Sequence, residues 1–327
     1  MDKDHEISNA FSPIFSQPHD SNSFPIKRPL LAHYTSIAIL EQILKTDEIW
    51  FSNPLFMNDF EELRFGIQQG IQAFWGSEAI KTACRSQERF GRLAYAFNFY
   101  SDFFQSELLI DTYVFCLSEH EANNNDGLLS MWRGYGGNGS GVAIIFDSRQ
   151  ANVVPESPLL IMPVIYSSTD DRIEWLKNIL VRFAEIMASF EIPDDKLHIP
   201  AWILFDRIRQ FSLFTKHCGF SEEKEWRIAY IKDRDVNHAF APMCDYTVCN
   251  RGVEPKLKFQ VEHIPGLTDS DLNLCKIIYK IILGPSTSSP LAKNTVLRML
   301  DKVGKPELKD RVFGSTIPFR ATTHDLA

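Results

Sequence analysis

The chain alternates short apolar runs with longer stretches whose apolar positions recur every three or four residues. Pro29–Tyr34 predicts a short strand, after which Thr35 or Ser36 caps a helix with apolar positions at Ile39, Leu40, Ile43 and Leu44. Ile49-Trp50-Phe51 predicts a second strand, stopped by Asn53-Pro54. Beyond the Asn58-Asp59 turn, helices are expected over 60–75 and 78–107. A strand at Tyr113–Leu117 follows, then an Asn-rich loop at 122–126, a helix carrying Leu128, Leu129, Met131 and Trp132, and a sharp glycine-rich turn up to Gly141. Val142–Phe146 and Leu160–Tyr166 are β-branched apolar runs that predict buried strands. From Arg172 to Phe190, the residues Ile173, Leu176, Ile179, Leu180, Phe183, Ile186 and Met187 trace one helix face, and 200–215 predicts another helix. Strands are expected at Glu225–Ile231, Lys256–Val261 and Ile277–Leu283, and a late helix at Leu291–Val303.

This order is mixed, without βαβ repetition, and implies an α+β fold. No composition shift cuts the chain, so a single domain over 29–327 is expected, with a helical insertion at about 168–215. Residues 1–28 are rich in Ser, Asn, Asp and Pro with isolated Phe and read as a flexible tail or an arm packed on the domain. Acidic residues outnumber basic ones, 42 to 34, for a net charge of −8, which argues against nonspecific nucleic-acid binding. The six cysteines lack zinc-ribbon spacing and read as free, mostly buried thiols. The start has no apolar leader and no apolar run reaches membrane-spanning length, so cytoplasmic residence without membrane association is expected.

Four segments embed polar residues in apolar or glycine-rich surroundings. His33, on a strand entering a helix, is either a satisfied core histidine or a hydrogen-bonding partner for a ligand hydroxyl. Asp59 with Glu62 forms a capping-box pattern; alternatively Asn58 and Glu62 pin a site loop. Trp132, Arg133 and Tyr135, followed by glycines, offer a flat wall for a base or nicotinamide, with Arg133 suited to a phosphate or carboxylate. On a strand, Glu223, Glu225 and Arg227 share one face, as a buried structural network or as a catalytic or ribose-binding carboxylate.

Together these segments resemble a mainly bacterial family, domain of unknown function 2971. The matching residues are His33-Tyr34-Thr35, Asn58-Asp59 with Glu62, Cys116-Leu117-Ser118 and Met131-Trp132-Arg133-Gly134-Tyr135. They continue with Gly141–Phe146, Val164-Ile165-Tyr166, Lys216-His217, Glu223-Lys224-Glu225-Trp226-Arg227 and Leu283-Gly284-Pro285. The start of the domain is also similar to the NAD-dependent ADP-ribosyltransferase superfamily, which implies a largely antiparallel sheet core with helical insertions and NAD as substrate. By that resemblance His33 would bond the NAD ribose, Tyr135 or Trp132 would stack on nicotinamide, and Glu225 would polarise the ribose. Glu223 would complete a Glu-x-Glu element. Tyr34, Thr35, Arg133 and Arg227 would complete the NAD site, with Asn58, Asp59, Glu62, Ser118 and Lys216 supporting it. Breaking the nicotinamide bond passes through an oxocarbenium-like state that a carboxylate stabilises without a metal.

The resemblance implies a transferase or NAD glycohydrolase, with toxin or phage-defence roles suited to such chemistry. The acceptor, protein or nucleic acid, and the oligomeric state are not specified. One alternative is a non-enzymatic nucleotide-sensing or protein-interaction module. Another is a Mg²⁺-dependent nuclease using Asp59 or Glu62 with Glu222, Glu223 and Lys224.

Overall fold

The computed structural model describes residues 2–15, 24–57, 60–152, 157–249 and 252–319. In chain order these begin with α1 (Lys3–Phe11), β1 (Leu30–Thr35), α2 (Ile37–Thr46), β2 (Glu48–Ser52), α3 (Phe60–Gly76), α4 (Glu78–Ala83), α5 (Gln87–Phe103) and β3 (Thr112–His120). Next come α6 (Leu129–Gly134), β4 (Val142–Asp147), β5 (Leu159–Pro163), β6 (Ile165–Ser167), α7 (Thr169–Ser189), α8 (His198–Phe214) and β7 (Thr215–His217). The last are β8 (Glu225–Ile231), β9 (Cys244–Cys249), β10 (Gly252–Gln260), α9 (Leu274–Ile277), β11 (Ile278–Leu283), α10 (Pro290–Lys302) and β12 (Val312–Gly314). The fold is α+β, with a mixed, mostly antiparallel open sheet.

The expected single domain divides into two compact units, each assembled from separated stretches of chain. One combines Met1–Ser21, Asn53–Thr112 and Val164–Phe220; the other combines Asn22–Ser52, Tyr113–Pro163 and Ser221–Ala327. The helices expected as an insertion therefore share their unit with α1, α3, α4 and α5.

In the helical unit α8 is buried on every side from Ile203 to Phe214, including Arg207 and Arg209, as befits a helix at the centre of a bundle. The expected flexible tail is corrected here over residues 3–15. Asp2 caps α1, and Ile7, Phe11 and Ile14 are 0%, 0% and 1% exposed. These three apolar residues fall at i, i+4 and i+7, so a stretch of polar average composition still presents one apolar face. Phe11 packs with its ring centroid 5.0 Å from that of Phe183.

The other unit carries the sheet, in the order β12-β11-β4-β1-β3-β2-β10-β9, with β8 pairing to both β3 and β5. β11 and β12 run parallel; the remaining registered pairs of this sheet are antiparallel. Strand alternation sorts its apolar residues onto two faces. Leu31, Phe115, Leu117, Ile144, Phe146, Trp226 and Tyr230 join the α2 residues Leu40, Ile43 and Leu44 in one core. Leu30, Ala32, Tyr34, Ala143, Ile145 and Ile282 pack with Met131 and Trp132 of α6 in the other. No disulfide joins the cysteines; Cys84 and Cys275 are buried, whereas Cys218, Cys244 and Cys249 are exposed, contrary to the mostly buried set expected.

Candidate functional site

β1 pairs with β3 over three positions only, from Leu30↔His120 to Ala32↔Ser118. Its other edge stays on β4 as far as Thr35↔Val142, so an opening between β1 and β3 begins at His33. The His33 ring enters that opening, with Nδ1 3.1 Å from the carbonyl of Cys116. Strand carbonyls point along the sheet plane, so a ring bonded to one lies in the gap between the strands. Its centroid is 4.5 Å from that of Phe115. Burial lowers the His33 pKa to about 4, against a smaller upward pull from the Cys116 bond. A carbonyl only accepts, so Nδ1 carries the proton and donates. At neutral pH the imidazole is uncharged, and Nε2 is left as an acceptor.

Across β3 from β1 lies the start of β8. The Ser118 hydroxyl donates to the Glu223 carbonyl at 2.6 Å, and the Glu119 amide to the Lys224 carbonyl at 2.9 Å. The Tyr135 hydroxyl donates to the Glu223 carboxylate at 2.9 Å, with the Tyr135 ring 43% exposed. Glu223 is partly exposed, at the end of a short 3₁₀ turn. Glu225 is buried, and Arg227 engages both its oxygens, Nε to Oε1 at 2.7 Å and the terminal nitrogen to Oε2 at 3.1 Å. A buried carboxylate bonded through both oxygens to a guanidinium has charge offset where it sits. Burial and this pairing fit the structural-network reading of Glu225 and Arg227. Of the two carboxylates, that of Glu223 is the more exposed.

Trp132 is also corrected. It is 0% exposed, donates from Nε1 to the Asp126 carbonyl at 2.8 Å, and meets Tyr34 edge-on at 4.8 Å. The neighbouring glycines make room for this indole, not for a ligand. A Cβ on Gly136 would stand 2.5 Å from its ring, and one on Gly127, whose φ is +74°, 2.9 Å from Nε1. Tyr34 is buried as well; its hydroxyl accepts from the Leu128 amide, and burial pushes its pKa up to about 12. Alternation puts Tyr34 on the Trp132 side and His33 on the Leu31 side, so the adjacent pair does not act together. Thr35 is partly buried at the end of the β4 ladder, and Arg133 is exposed, its guanidinium 5.2 Å from the Phe319 ring centroid.

The family model described as protein of unknown function (DUF2971) matches residues 131–228. This segment is similar to DUF2971. The comparisons with curated proteins and with solved structures returned no match. The DUF2971 match starts in α6 and ends in β8, so it takes in Tyr135 and Glu223 but not His33 or Ser118. The resemblance read over about 30–320 is thus supported over the narrower segment.

Other expected DUF2971 residues belong to the helical unit. Glu62 accepts from Arg172 at 2.6 Å, and the buried Lys216 lies 4.6 Å from the Phe220 ring centroid. Asn58 and Asp59 lie outside the described residues. Among the described residues, no group of three or more His, Cys, Asp or Glu is placed to hold a metal ion, and no helix is long and apolar enough to cross a membrane.

Sequence reasoning missed Lys280. It is 4% exposed and donates to the carbonyls of Ala122 and Asn124 and to the Asn125 side chain, at 2.9, 2.9 and 2.7 Å. It thereby ties down the Asn-rich loop whose Asp126 carbonyl holds Trp132. A lone lysine inside the apolar run Ile277–Leu283 was the available signal, because a buried ammonium needs partners.

Proposed function

We propose that the sheet unit binds NAD or a related nucleotide across the β1–β3 opening and cleaves it in the manner of ADP-ribosyltransferases. Strand order carries this reading. His33 on β1 and Ser118 on β3 stand on neighbouring strands, and Ser118 bonds Glu223 just before β8. Ser118, opposite Ala32, is on the Trp132 face and His33 on the Leu31 face, so a ligand reaches both through the β1–β3 opening. Neutral His33 fits a ribose hydroxyl, because Nε2 accepts where the hydroxyl donates. The exposed Tyr135 ring fits a flat base or nicotinamide. Glu223 supplies negative charge for the cation that develops on the ribose as the glycosidic bond breaks. Nicotinamide leaves with the bond electrons, and water or an acceptor group forms the new bond to carbon and releases its proton. Trp132 and Glu225 have no part in these contacts.

A nucleotide-sensing module without turnover is the second reading, favoured by the commitment of both Glu225 oxygens to Arg227.

Thermal denaturation with NAD and with ADP-ribose, beside chromatographic detection of released nicotinamide, separates the two. Ligand at a hundredfold excess over its dissociation constant stabilises by about 2.7 kcal/mol, and His33→Ala is expected to remove most of that shift. Glu223→Gln is expected to retain the shift and release nicotinamide about 100-fold more slowly. Stabilisation without nicotinamide release selects the sensing module. No stabilisation by either ligand refutes both.

A further inference from the structure

The helical unit exposes an aromatic stripe on α5. Leu93, Ala94, Phe97 and Ser101 form the buried face of this helix. Its opposite face carries Tyr95, Phe99 and Phe103, which are 77%, 57% and 41% exposed. They recur every four residues, and the rings of Phe99 and Phe103 are parallel within 2°. The solvent face of a helix normally carries charged and polar groups, and a contiguous apolar patch in its place marks an interaction site. One turn before Tyr95 stands Gly91, inside the helix, where glycine costs about 1 kcal/mol relative to alanine. A Cβ there would meet nothing within 4 Å, so no packing among the described residues calls for a glycine.

We propose that α5 pairs with α5 of a second copy of this chain, antiparallel, about a two-fold axis level with Phe97. The commitment to a second copy rests on the symmetry of the stripe about that residue. Reversal places Tyr95 against the partner's Phe99, so that apolar rings meet across the axis. It places Gly91 against the partner's Phe103, which gives the bare notch a ring to receive. It places Arg92 against the partner's Asp102. Arg92 bonds Glu88 through one terminal nitrogen at 2.9 Å, which leaves its other donors for a second carboxylate. Asp102 is exposed and has no ion-pair partner among the described residues. A two-fold contact must be self-complementary, and these matches repeat on both sides of the axis.

Sedimentation equilibrium of the full chain tests the pairing, with circular dichroism to show that each variant remains folded. The wild type is expected to dimerise at or below about 100 μM. Arg92→Glu and Asp102→Arg are each expected to weaken the dimer about tenfold or more through like-charge opposition, and the double reversal to restore it. Phe99→Ser is expected to give a monomer. A wild type that stays monomeric overturns the proposal. So does a dimer indifferent to Phe99→Ser, or one whose charge reversals weaken it without rescue in the double variant.

Discussion

Acid should unfold this protein partly through one ring. His33 has a pKa of about 4 in the folded chain against an ordinary value of 6.5, because burial penalises its charged form. The unfolded chain therefore takes up a proton on this side chain, as the pH falls below 6.5, before the folded chain does. Stability contributed by neutral His33 is present at pH 7 and is lost on the way down to the folded pKa. The two values give a loss of about 2 kcal/mol between pH 7 and pH 5, and about 3 kcal/mol by pH 4. That is a large share of the roughly 5–15 kcal/mol that holds a typical native protein together. Urea denaturation of the wild type and of His33→Gln at pH 7 and pH 5 isolates the effect, because groups common to both proteins cancel. The wild type should lose about 2 kcal/mol more than the variant over that interval. Imidazole NMR adds a direct reading: a protonated Nδ1, and a pKa well below 6.5. Equal losses in the two proteins, or an undisplaced pKa, would refute the buried neutral ring and remove the hydroxyl acceptor on which the ribose contact depends.

Phe11→Ala should lower the stability of the helical unit by about 3–5 kcal/mol, measured by urea denaturation, since its side chain is fully buried. A chain lacking residues 2–15 that unfolded at an unchanged midpoint would contradict the packed α1. Arg227→Met should cost about 3–5 kcal/mol by removing the guanidinium that engages both Glu225 oxygens, while Glu225→Leu with Arg227→Met should recover most of the loss. If both single variants kept full stability, the pair would not be structural.

Some local elements were legible from one short-range rule, although the run at Leu160–Tyr166, read as one buried strand, is two half-buried strands, β5 and β6. Ser36 caps α2, as its position before the apolar repeat implies, and the β-branched run at Val142–Phe146 is fully buried in β4. Strand alternation likewise placed Glu225 and Arg227 side by side. α1 was missed because average composition was weighed above the spacing of Ile7, Phe11 and Ile14, although that spacing is visible in the sequence. Trp132 was misread for a different reason. A tryptophan beside glycines is consistent with a ligand wall or with a core indole that needs room, and only the positions of Tyr34 and Asp126, remote in sequence, distinguish them. The division of labour between Glu223 and Glu225 depended on Tyr135 and on tertiary burial, neither of which follows from their two-residue spacing.

The interleaving of the two units has a consequence during synthesis. The Ile14 carbonyl, next to α1, is capped by Arg207, which is synthesised 193 residues later. The helical unit has all its segments once Phe220 has emerged, while the sheet unit still lacks Ser221–Ala327, with β8 to β12. Nascent chains that stall before α7 therefore carry a bare helix face with Ile7 and Phe11 uncovered. Surfaces of that kind are what chaperones bind on incomplete chains.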